Sequence, residues 1–122
     1  MMLRLVAMLL ACAGAAHAQG LPAGWVAQGV GSPGSGGSAA MSNGTWTVSG
    51  GGADIWGTAD QFHFVSQSFV GDGAVVAKSN SLAGGAACAK AGVMIRDGTA
   101  ANAGCAFSFL IPANHAGSPT DF

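Results

Sequence analysis

The side chains that could do chemistry are few, and they fall in two stretches. Asp54, Trp56, Asp60 and His63 lie within residues 51–64, GGADIWGTADQFHF, and Arg96 lies near the end of residues 90–97, KAGVMIRD. An indole face packs on the C–H surface of a sugar, and neighbouring polar groups hold its hydroxyls. Asp54, Trp56, His63 and Arg96 are therefore the candidate ligand-binding residues, and the chemistry they suggest is recognition. Each also has a plainer use. Trp56 could close the end of the core, the commoner role of a large aromatic in a small domain. His63 could be a satisfied structural histidine, although its alternation with two Phe residues also suits the surface of a concave sheet. Arg96 could pair with Asp97 or Asp60, and Asp60 could start a strand or cap a turn.

No catalytic residue is assigned. Ser, Asp, His63 and His115 are present, but no G-x-S-x-G turn sets up a nucleophile. No metal ligand is assigned either. His63 and His115 are isolated, and Cys88 and Cys105 lack the spacing of a zinc site. Asp54, Asp60, Asp72 and Asp97 supply hard oxygens, so structural Ca2+ at a loop edge is the one cofactor left open. No D-x-D-x-D-G loop supports it.

Strand geometry argues against a disulfide between Cys88 and Cys105. If residues 97–104 form a hairpin loop, Arg96 faces Cys105 across the ladder. Cys88 then lies about eight residues back, on the order of 26 Å at ~3.3 Å per residue. A disulfide needs Cα atoms within roughly 7 Å. Both cysteines read as small buried apolar side chains.

The elements that must position these residues belong to one domain, since the chain has 122 residues. Residues 1–18 read as a signal peptide: Arg4, an apolar run over residues 5–14, then Ala16-His17-Ala18 before Gln19. That run is too short to span a membrane, and no later stretch is longer. The expected location is secreted or periplasmic after cleavage near Ala18. Residues 19–122 carry Lys78, Lys90 and Arg96 against five Asp, a formal net charge of −2. Without a basic patch, neither nucleic acid nor a membrane surface is an expected partner. Low net charge and ample apolar content also argue against disorder, so the many glycines read as tight turns.

Strands are expected at 45–49, 60–69, 74–78, 91–96 and 106–111, where apolar and polar residues alternate or short apolar runs end at turn signals. In the second, Phe62 and Phe64 should face one way, with His63, Val65 and Gln67 opposite. Residues 31–37, GSPGSGG, read as loop, as do 80–85 and 114–122. No helical period of useful length appears after the leader. Asn43-Gly44-Thr45 matches an N-glycosylation sequon, to which no functional weight is given.

GADIWGTADQFHFV, followed after a GDG turn by AKAGVMIRD, resembles secreted bacterial β-sandwich modules of the concanavalin A-like, LamG-like jelly-roll group. The resemblance covers about residues 21–112 and implies an all-β antiparallel β-sandwich. Such modules accompany adhesion and polysaccharide-degrading domains. It therefore implies a non-catalytic exported module binding polysaccharide, surface glycan or matrix material. The alternative is a structural or adhesive fragment of a larger secreted protein, without a ligand of its own. A hydrolase ranks last. Laminarinase-type jelly-roll glycosidases carry paired glutamates on one strand, and this chain has no glutamate at all. Two departures stand out. Cys88 occupies a position where these modules more often carry an aromatic, and the family needs many more strands than the five or six readable here. The domain at 19–122 is thus expected to be incomplete at its C-terminus, with open sheet edges.

Overall fold

A computed structural model describes residues 20–112. The expected signal peptide with its cleavage site near Ala18, the loop at 114–122 and His115 lie outside the described residues. Within them the fold is all-β and antiparallel, without a helix. Six strands form three two-stranded sheets: β1 (Val26–Val30) with β4 (Phe62–Ser66), β2 (Ser38–Ser42) with β3 (Thr45–Ser49), and β5 (Ala91–Arg96) with β6 (Cys105–Leu110).

β3, β5 and β6 form where alternation places them, β6 shifted by one residue. The hairpin expected around residues 97–104 is present: Arg96 faces Cys105, and the Asp97 amide donates to the Gly104 carbonyl at 2.9 Å. β1 and β2 carry no strong sequence pattern, because VAQGV and SAAMS consist largely of small side chains. Their strand form comes from their partners. Asn43 and Gly44 make the two-residue turn between β2 and β3, with φ of 48° and 76°. Positive φ at both positions is the type I′ turn whose twist matches antiparallel strands, and Asn-Gly is its preferred sequence.

The strand expected at 74–78 does not form. Val76 is 89% exposed, and this run has no ladder partner among the described residues. An unpaired strand leaves its backbone groups to water and gains nothing from extension. The strand expected at 60–69 is confined to five residues, Phe62–Ser66, all of them buried.

That burial on both faces makes β4 the central strand. On one face Phe62 and Phe64 join Val30 and Met94 in the core cluster, with Ile55 and Phe107 packed against it. Phe62 and Phe64 meet edge to face, centroids 5.4 Å apart. On the other face His63 lies under the base of the β2–β3 hairpin, with Gly37 and Gly50 against its ring. Trp46 of β3 packs on Trp25 just before β1, centroids 4.6 Å apart.

Candidate functional site

The two stretches singled out in the sequence are stitched together by two ion pairs. Lys90 Nζ lies 2.6 Å from Asp54 Oδ1, and Arg96 Nη1 lies 2.6 Å from Asp60 Oδ2. Both pairs span the same sequence separation, 36 residues. The segment from Asp54 to Asp60 is a loop closed by the antiparallel Asp54–Gln61 bridge, in which the Gln61 amide donates to the Asp54 carbonyl at 2.8 Å, and each end of it is tied to the 90–96 stretch. Trp56 projects between the two ties.

The Arg96 tie is internal. The Arg96 side chain is fully buried, and Asp60 is nearly so. Arg96 Nη2 donates to the carbonyls of Ala100 and Ala101 at 2.7 and 3.0 Å, and its guanidinium lies 5.5 Å from the Phe62 ring centroid. The Asp60 amide adds a bond to the Ala101 carbonyl at 2.9 Å. Four polar contacts thus fix the 97–104 loop onto the segment before β4. Of the two carboxylate partners that the sequence offered Arg96, the fold uses Asp60.

The Lys90 tie is at the surface. Asp54 is exposed, and its carboxylate also accepts the Ile55 amide at 2.7 Å. Lys90 Nζ sits 5.0 Å from the Trp56 ring centroid and 5.5 Å from that of Phe109. A cation this close to aromatic faces is attracted by the ring quadrupole. Lys90, which sequence reasoning did not single out, therefore bridges Asp54, Trp56 and Phe109. Its position six residues before Arg96, matching the Asp54–Asp60 spacing, was the available signal.

Trp56 does not close the core. It is 74% exposed, the most exposed aromatic described. It borders an open groove of about 390 Å³ whose apolar wall is Ile55, Phe107 and Phe109, with Asn102 and Cys105 on the side of the 97–104 loop. Phe107 and Phe109 alternate on one face of β6 and stack at 4.9 Å, so the wall follows from strand period. Gly92 faces Phe109 across the ladder, and a Cβ there would meet the Ser108 carbonyl oxygen at 1.9 Å. Only glycine allows that approach.

The candidate residues thus separate. Trp56 borders the groove; Asp54 and Lys90 pair beside it without lining the groove. Arg96 lies beneath the groove, where it holds the loop that forms one wall. His63 is not on the sheet surface: it is 6% exposed, enclosed by glycine, and burial holds its pKa below the ordinary 6.5. The aspartates offered for calcium do not converge, and among the described residues no three His, Cys, Asp or Glu side chains gather. Cys88 and Cys105 are exposed, correcting the expectation that they fill core volume, and no disulfide joins them. Cys105 opens into the groove because its face of β6 is covered only in part.

No family model, no curated protein and no solved structure matches this chain.

Proposed function

We propose that this protein is a non-catalytic binding module that stacks a sugar ring on the open face of Trp56. The exposed indole carries the reading. A side chain with so much apolar area is normally buried, and leaving it in water beside ionic and amide groups is the pattern of a saccharide platform. Lys90 and Asp54 restrain the platform from one side, and Phe107 and Phe109 give the ligand an apolar floor. The charges near the groove are already committed, Asp54 to Lys90 and Asp60 to Arg96, which favours a neutral polysaccharide over a uronate or amino-sugar polymer. The chain is taken as an exported module of the concanavalin A-like, jelly-roll kind, on the resemblance of ADIWGTADQFHF and AKAGVMIRD.

Calorimetric titration with a panel of neutral and charged polysaccharides tests the proposal, using wild type and Trp56→Ala. Binding of a neutral polymer that weakens about tenfold or more in the variant is expected, the loss of one aromatic stack. A folded protein that gives no heat with any polymer would overturn it.

A second reading has its own observation. Val70 and Val76 are 86% and 89% exposed along one segment. A purely adhesive or structural element, with no small ligand, would use that segment and be indifferent to Trp56→Ala.

A further inference from the structure

Among the described residues, His63 is the buried titratable side chain without an ionic or hydrogen-bonding role at the groove. It is the second residue of β4, and its Cα partner across the ladder is Gly29 of β1. Its ring is enclosed by backbone. A Cβ at Gly37 would stand 2.1 Å from its Cγ, and one at Gly50 would stand 2.3 Å from its Cβ. Gly37 immediately precedes β2 and Gly50 immediately follows β3. The open end of the β2–β3 hairpin therefore rests directly on the imidazole. Pro33 covers Gly29, its Cδ 2.9 Å from where a Cβ would be, and Ser35 covers Gly51 in the same way. Residues 31–37 thus form a strap over the same spot.

Among the described residues, none of the groups packed there can offset a positive charge. Gly29, Pro33, Ser35, Gly37, Gly50 and Gly51 carry no ionisable side chain, and the strand neighbours are Phe62 and Phe64. Asp60, the carboxylate nearest in sequence, is bound to Arg96. Nε2 is buried and has no hydrogen-bond partner. A neutral imidazole can leave one nitrogen unprotonated, whereas an imidazolium presents two donors that both need acceptors. Burying it unpaired costs far more than burying the neutral ring.

We propose that His63 is an acid-sensitive latch for the β2–β3 hairpin: the neutral ring seats the glycine base of the hairpin, and protonation unseats it. This inference is independent of saccharide binding, because the latch and the groove lie on opposite faces of β4. The direction of the pH dependence follows from burial. The pKa of His63 in the docked state is lowered from 6.5, so the undocked state takes up the proton more readily. Docking is strongest above pH 6.5. It weakens as the pH falls below that value toward the docked-state pKa.

The Trp25–Trp46 pair reports the seat, because Trp46 rides on β3 and Trp25 precedes β1. Circular dichroism of the full chain should show the coupled tryptophan signal falling in a one-proton transition between about pH 6.5 and 5, above the ordinary carboxylate range. His63→Phe, which keeps an aromatic ring and cannot protonate, should abolish that transition. Proton–carbon NMR of wild type supplies a readout that needs no variant. The His63 ring and the Trp46 indole should titrate with one shared midpoint below 6.5. A His63 ring that titrates at an ordinary pH while both tryptophans stay unchanged overturns the latch. So does a transition that persists in His63→Phe, which would assign it to another group.

Discussion

Removing the Asp60 carboxylate should be among the most damaging single changes in the described fold, and the reason can be worked from the contacts. Arg96 has a fully buried side chain, one carboxylate partner at 2.6 Å and two carbonyl acceptors. Asp60→Ala leaves the guanidinium charged, because arginine does not deprotonate, and leaves it buried with neutral acceptors alone. Breaking a buried pair from one side costs about 3–5 kcal/mol. A domain of this kind has on the order of 5–15 kcal/mol in total, so the variant should be marginal at room temperature. The double variant Asp60→Leu, Arg96→Met removes both charges and refills the space with apolar atoms. It should recover most of the loss, because the desolvation cost disappears together with the attraction. The measurement is urea unfolding followed by tryptophan fluorescence on wild type, Asp60→Ala and the double variant. A loss below about 1 kcal/mol for Asp60→Ala would refute the reasoning, since it is the range of a solvent-screened pair. The double variant separates stability from site geometry. With no guanidinium on the Ala100 and Ala101 carbonyls, the 97–104 wall is loosened, and saccharide binding should stay weak in a protein that is stable again.

Two further outcomes are expected. Lys90→Met keeps an apolar stem over Phe109 but loses the ion pair and the contact with Trp56. Because Asp54 is 45% exposed, stability should fall by no more than about 1 kcal/mol. Binding should weaken severalfold as the indole loses its restraint; unchanged affinity in calorimetric titration would show that Lys90 does not position Trp56. Gly44→Ala tests the hairpin turn, since a Cβ there meets no atom within 4 Å and the only penalty is its φ of 76°. The expected cost is about 1–2 kcal/mol in chemical denaturation, with Gly44→Asn costing less because asparagine tolerates that conformation. Equal costs for the two variants would count against the type I′ assignment.

What was legible in the sequence depended on side-chain size. β3 and β6 alternate large with small or polar residues, β5 is a short apolar run ending in a charge, and the Asp97-Gly98 signal is enough to place Arg96 opposite Cys105. β1 and β2 were missed because Ala, Gly and Ser do not advertise a face; their form is set by pairing with β4 and β3. Asn43-Gly44 opens a sequon, and the same dipeptide is a strong local hairpin signal. The AVVAK run over 74–78 misled for the opposite reason, since its apolar residues suggest a strand for which the described fold supplies no partner. The sequence alone leaves His63 open between a structural histidine and a residue of the sheet surface, because its cover comes from Gly37 and Gly50. Those residues have no side chains with which to announce a contact, and a Cβ at either would collide with the histidine.

The two motifs are best understood as a single device. Asp54 pairs with Lys90 and Asp60 with Arg96, so both ends of the loop closed by the Asp54–Gln61 bridge are tied to the 90–96 stretch. Of the two pairs, the buried one costs more to break from one side. It also anchors the 97–104 loop through the Ala100 and Ala101 carbonyls. The pair at the exposed end is free to hold a cation against Trp56 and Phe109. Most polar side chains of these motifs are thereby committed to holding the chain, as Asp60, Arg96 and Lys90 show. Trp56 lies between the ties and contributes little to the core. Its exposure makes Trp56 the aromatic side chain, among the described residues, with the most surface left for a partner.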